Sequence, residues 1–131
     1  MPGGGRVHVF SPRPNTAAHV AEIRLPEWLW FEDYSSVAVL DDRIAVVSQR
    51  SSALWVGRLD PAAWRVAGAG VCYEFPHNAV GQVAYCTVEG LAWLGNDRIV
   101  VVSDAAGGRG GSCQDKQQSV HVFRIPTHRR G

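Results

Sequence analysis

An all-β fold follows from three features of this 131-residue chain. Its apolar runs are short and are separated by Gly, Pro, Asp and Asn, the punctuation of strands and turns. Apolar residues almost never recur at helical spacing. The chain also repeats itself: residues 42–48 read DRIAVVS and residues 97–103 read DRIVVVS, differing only at Ala45 against Val100.

Each element can be justified in order. RVHVF (residues 6–10) alternates as a strand should, and it returns as SVHVF (119–123). AEIRLP (21–26) stops at a proline, as does VCYEFP (71–76), because proline cannot continue a ladder. After the linker PEWLWFEDY comes SSVAVL (35–40), turned by Asp41-Asp42 into DRIAVVS. The β-branched run of DRIAVVS suits a central strand covered on both faces. SALWVGRLD (52–60) and VCYEFP follow. The pattern then restarts with EGLAWL (89–94), the turn Gly95-Asn96, DRIVVVS and SVHVFRIP (119–126).

With the strands of one unit called A to D, the chain reads C-D, A-B-C-D, A-B-C, at a spacing of about 50 residues. Four-stranded units at that spacing are the signature of a β-propeller, whose blades bury their faces by stacking on neighbours. The expectation is one partial propeller domain over residues 1–131, with about two four-stranded antiparallel blades. Residues 6–26 end one blade, 35–76 form a complete blade, and 88–126 form a blade lacking its outer strand. Nine strands fall short of the roughly four blades or more of a closed ring. The chain is therefore expected to be a fragment of a longer propeller, and self-association through uncovered blade faces is expected of it.

Composition narrows the function classes. Hydrophobic residues make up 46% and charged residues 19%, which is globular rather than disordered. Net charge is +1, and Lys116 is the single lysine. No basic stripe exists to neutralise phosphates, so no nucleic-acid partner is expected. No apolar run approaches the roughly 18 residues of a membrane span, and no membrane association is expected. The start MPGGGRVHVF has no apolar signal region, which makes a cytoplasmic location the default unless the N-terminus lies upstream. Cys72, Cys86 and Cys113 are odd in number and at no metal-ligand spacing, so no zinc site is expected from them.

Chemistry is sought where the two copies differ. Glu89 aligns with Ser35, Gly90 with Ser36, Trp93 with Val39 and Asp104 with Gln49. Pairing back from Gly95-Asn96 sets Glu89 opposite Val102 or Ser103, with Asp104 one step further out. Glu89, Ser103 and Asp104 would thus share the open end of the A-B hairpin, at the channel mouth of a propeller. VEGLAWLGNDRIVVVSD resembles the EG…W hairpins of the regucalcin and gluconolactonase propellers, and of the esterase-like phytase propellers. In the lactonase group the Glu before Gly in the first such motif is a divalent-metal ligand, and the resemblance carries that role to Glu89. The chain departs from the motif at Leu91, where the lactonases usually have Pro. A hard cation such as Ca²⁺ takes oxygen ligands. The resemblance implies Ca²⁺ or another divalent cation at Glu89 alone, with Asp104 a further candidate ligand by its place at the same hairpin end, and a parent activity of metal-assisted hydrolysis of a phosphoester, ester or lactone. A small-molecule ester or phosphoester is the implied ligand. The competing expectations are a non-catalytic propeller that binds a partner, and a truncated product without activity of its own.

Other residues read as architecture. The loop AAGGRGGSCQDKQQ (105–118) is far longer than its counterpart Arg50-Ser51, but no helix follows it to make a phosphate cradle. His8 and His121 recur at one strand position, as framework residues do. Of the five tryptophans, Trp28 and Trp30 in the linker are expected to be exposed and the others packed. No Gly-x-Ser-x-Gly elbow occurs. Cys86 in the D-to-A connection and Cys113 in the long loop are expected on one face, close enough for a disulfide, with Cys72 apart.

Overall fold

The computed structural model describes residues 3–104, 116 and 118–126. Nine strands lie among them: β1 (Arg6–Arg13), β2 (Thr16–Arg24), β3 (Ser36–Leu40), β4 (Arg43–Ser48), β5 (Ala53–Asp60), β6 (Arg65–Glu74), β7 (Val88–Trp93), β8 (Arg98–Ser103) and β9 (Ser119–Arg124). They form three sheets in chain order, β1-β2, β3-β4-β5-β6 and β7-β8-β9, and every pairing is antiparallel. The fold is all-β, a partial β-propeller of successive blade-like sheets. The repeated heptapeptide forms the second strand of each of the last two sheets. Among the described residues no helix is long and apolar enough to cross a membrane.

Two cores occupy the two spaces between sheets. Ile44, Val46, Trp55 and Leu59 of the middle sheet pack with Ile23, Leu25 and Leu29, while Val7 and Val9 lie against the cluster. On its other face Ala45, Val47, Leu54 and Val56 pack with Val88, Ile99, Val101 and Ile125. Phe75, Ala84 and Tyr85, from the connection between sheets, join this second cluster. Strand alternation explains the division: even-numbered residues of β4 face one neighbour and odd-numbered ones the other. A strand that is buried on both faces must be apolar throughout, which is why residues 44–47 carry no polar side chain.

Trp55 shows how closely these faces fit. A Cβ added at Gly57 or Gly70 would come within 2.3 or 2.4 Å of its ring atoms, so both positions need glycine. Gly70 also has φ +71°, which L side chains rarely adopt. The indoles of Trp55 and Trp28 both donate to the Ala69 carbonyl at 3.1 Å, tying the linker to the rim of the middle sheet.

Polar links fix the middle sheet to the last one. At one end Ser35 Oγ lies 3.0 Å from the Val88 carbonyl oxygen. At the other, Trp93 Nε1 donates to the Ala38 carbonyl at 3.2 Å, and the Arg43 guanidinium lies 4.6 Å above the Trp93 ring. Arg43 also donates to the carbonyl of Asn96. At the same end as Ser35, the buried Ser52 hydroxyl donates to the Tyr85 carbonyl at 2.8 Å.

Candidate functional site

The ladder corrects the expected place of Glu89. Val88 pairs with Ser103 and Gly90 with Val102, so Glu89 is opposite neither and is the extra residue of a β-bulge. Gly90 suits this crowded place, because a Cβ there would meet Val102 Cβ at 3.3 Å. A bulge turns its strand locally and re-aims the side chain it inserts. Glu89 is exposed, and it lines an open concavity of about 380 Å³ together with Val102, Ser103, Asp104, Gln118, Ser119 and Val120. The structure thus gathers Glu89, Ser103 and Asp104 at one rim. Concavities of similar volume lie beside Arg43 and Tyr73, and beside Trp30 and Glu32, but neither is lined by two carboxylates.

Ser103 is the unusual member. Its side chain is buried, and its Oγ has no hydrogen-bond partner among the described residues. The repeat shows what such a serine otherwise does. In the middle sheet the equivalent Ser48 donates to Asp33 Oδ1 at 2.6 Å and accepts the Ser51 N–H at 3.1 Å. The Arg50 N–H also donates to Asp33 Oδ1 at 3.1 Å. Thr87 stands where Asp33 would stand in the second copy. It binds the backbone of Asp104 instead, accepting the Asp104 N–H at 3.0 Å and donating Oγ1 to its carbonyl at 2.5 Å. One copy therefore satisfies its serine with an internal carboxylate, and the other leaves a buried hydroxyl beside two rim carboxylates. A buried hydroxyl without a partner forgoes about 1–3 kcal/mol.

A polar chain leads inward from the concavity. Ser119 Oγ donates to the Lys116 carbonyl at 2.6 Å and lies 2.6 Å from His121 Nε2. The other ring nitrogen, Nδ1, is 3.4 Å from the Tyr85 hydroxyl. These contacts assign the Nε2–H tautomer, with Ser119 accepting and Tyr85 donating. Burial, and then the nearby Lys116 ammonium, lower the His121 pKa from its ordinary value, which keeps the ring neutral. His121 packs edge-on to Tyr85 with ring centroids 5.0 Å apart.

Sequence comparison alone misses Gln118, Ser119 and the Asp33–Ser48 contact. The last was readable: both serines close the same heptapeptide, and the residue two places before each A strand is Asp33 in one copy and Thr87 in the other. Trp28 and Trp30 are exposed, whereas Trp55 is buried. Cys86 is disulfide-bonded and Cys72 is free. Cys113, its expected partner, lies outside the described residues, as do residues 105–115 and 117 of the long loop.

Among the described residues no group of three His, Cys, Asp or Glu side chains stands ready for a metal ion. The oxygen donors at the rim are two carboxylates, the Ser103 hydroxyl and the side chains of Gln118 and Ser119. No protein-family model, curated protein or solved structure matches the chain.

Proposed function

We propose that this chain contributes one wall of a divalent-cation site at the mouth of a β-propeller, in a protein that hydrolyses a phosphoester, ester or lactone with metal assistance. The observation that carries the reading is the partnerless buried Ser103 Oγ beside Glu89 and Asp104, where the parallel copy closes the same serine with Asp33. The donor set fits a hard ion, since Ca²⁺ takes six to eight oxygen ligands and carboxylates are the preferred ones. Glu89 and Asp104 would hold it, with Ser103 supplying a neutral oxygen. Other sheets would provide the remaining ligands. When bound, the ion would polarise a carbonyl or phosphoryl oxygen and acidify a water. Glu89 would set the cation's place through the bulge, and Val102 and Val120 would form the apolar side of the mouth.

Calcium titration of the full chain by calorimetry tests this, with Glu89→Gln as the comparison. Saturable binding, weak for want of the ligands that other sheets would supply and lost in Glu89→Gln, is the expected result, and Ca²⁺-dependent turnover of a chromogenic ester, phosphoester or lactone is expected only of the intact propeller. Equal calcium binding by the two proteins would overturn the assignment. A second reading, a non-catalytic propeller that binds a partner, is favoured by the exposed apolar side chains of Val102 and Val120 beside the rim. Calcium binding without turnover by the intact propeller would select it.

A further inference from the structure

We propose that the β1–β2 hairpin carries a separate site, a two-histidine chelate for a borderline divalent transition metal such as Zn²⁺, formed by His8 and His19. The argument starts from strand register. Val9 pairs with Ala21, so in an unbroken ladder Phe10 would pair with Val20, and His19 would fall on the face opposite His8. The ladder instead pairs Phe10 with His19 and leaves Val20 as the extra residue. That bulge moves His19 onto the face of His8 and Phe10. It also leaves Val20 52% exposed, an apolar cost without packing in return.

The bulge brings His8 Nδ1 within 3.3 Å of His19 Nε2. Two nitrogens held at roughly 2.0–2.1 Å by one tetrahedral zinc ion stand about 3.3–3.4 Å apart, because a tetrahedron's edge is ~1.6 times its bond length. The hairpin therefore sets the edge of a tetrahedral site before any ion arrives. Imidazole donors suit Zn²⁺, Cu²⁺ and Ni²⁺ and disfavour Ca²⁺ and Mg²⁺. Phe10 steadies one ligand, edge-on to His19 with centroids 5.2 Å apart. Glu22, across the ladder from His8, is engaged by Arg6 Nε at 3.1 Å. Water would fill the other two positions, since no third His, Cys, Asp or Glu completes a cluster among the described residues.

His121 supplies the contrast. It occupies the same position in its unit, but its two nitrogens meet Ser119 and Tyr85. Without metal, one imidazole of the hairpin pair donates to the other. On binding, the donating ring shifts to its other tautomer, and both facing lone pairs go to the ion. Cysteine spacing gives no hint of such a site, because it depends on a register shift rather than on a motif.

The test is titration of the full chain with Zn²⁺ alone, followed through the imidazole ¹⁵N resonances. Saturable, joint shifts of His8 Nδ1 and His19 Nε2 are expected, with the His77 and His121 rings unmoved. His8→Ala and His19→Ala should each weaken binding by about tenfold or more, at least the loss that follows removal of an outer-shell partner. Glu89→Gln should leave zinc binding unchanged, which separates this site from the proposed calcium site. Zinc affinity within twofold of the parent in both alanine variants would overturn the proposal. So would zinc-induced shifts confined to other histidines in the unsubstituted chain, a readout that needs no variant to fold.

Discussion

Strands β4 and β8 come from nearly the same heptapeptide, yet their surroundings differ on one face. Ile44, Val46, Ala45 and Val47 are all buried, because a sheet lies on each side of β4. In β8 only Ile99 and Val101 are covered in this way, and Val102 is 45% exposed. The same contrast runs into the next strand: Leu54 and Val56 are buried, whereas their counterparts Val120 and Val122 are 65% and 54% exposed. The far side of the molecule shows the inverse pattern. His8 and Phe10 of β1 are exposed, but the matching His121 and Phe123 pack against Tyr85. Near-identical sequence thus has different energetic weight according to whether another sheet is stacked on it. The faces the last sheet leaves open have the chemistry of faces that the middle sheet keeps closed.

The sharpest way to break this comparison is one substitution made twice. Val47→Lys buries an unpaired charge between two sheets and is expected to cost about 4 kcal/mol or more, enough to abolish a cooperative melt followed by circular dichroism. Val102→Lys at the equivalent place should stay within about 0.5 kcal/mol of the parent. Equal losses would show that the outer face of β8 is covered after all.

The second pair probes the two serines. Asp33→Ala leaves the Ser48 hydroxyl and the Arg50 N–H without their acceptor and should lower stability by about 1–3 kcal/mol in urea denaturation. Glu89→Ala should change stability by less than about 0.5 kcal/mol, because the exposed bulge carboxylate satisfies no buried group. A smaller effect concerns association. The open valines should make the chain sediment as concentration-dependent oligomers, and Val122→Lys should weaken that association about tenfold, roughly 1.4 kcal/mol. A monomer at every concentration would remove the idea that open faces seek partners.

The smallest effect is in pH dependence. His121 has a folded-state pKa below its ordinary 6.5, through burial and then Lys116. Above that value the ring is neutral in both folded and unfolded chains and contributes nothing. As pH falls below 6.5 the unfolded chain takes up the proton first, so stability declines until the folded pKa is passed and then levels off. His121→Gln should flatten this limb of the stability curve in urea denaturation followed across pH.

Much of the fold was legible because the repeat is legible. Two nearly identical heptapeptides, framed by matching apolar strands and Pro stops, specify antiparallel sheets that stack in chain order. Local ladder irregularities were not legible. Glu89 and Val20 are each the extra residue of a bulge, and alternation of apolar and polar types cannot show where one residue is skipped. That single skip decides which face a side chain joins, which is why counting back from Gly95-Asn96 misplaced Glu89 and why His19 drew no attention. The Ser48–Asp33 contact joins a strand end to a connection, where no periodicity operates, so only a position-by-position comparison of the two copies points to it.

The contacts at the two ends of the middle and last sheets have a geometric consequence. Ser35 grips Val88 near the rim, and Trp93 with Arg43 grips Ala38 and Asn96 at the turns. Holding two plates at both ends fixes the angle between them as well as their spacing. Repeated about an axis, that angle decides how many plates complete a circle, and the number of plates decides the bore at the centre. The indole of Trp93, at the opposite end from Glu89, therefore acts as a gauge block. A smaller side chain there would close the angle and change the number of plates that completes the circle.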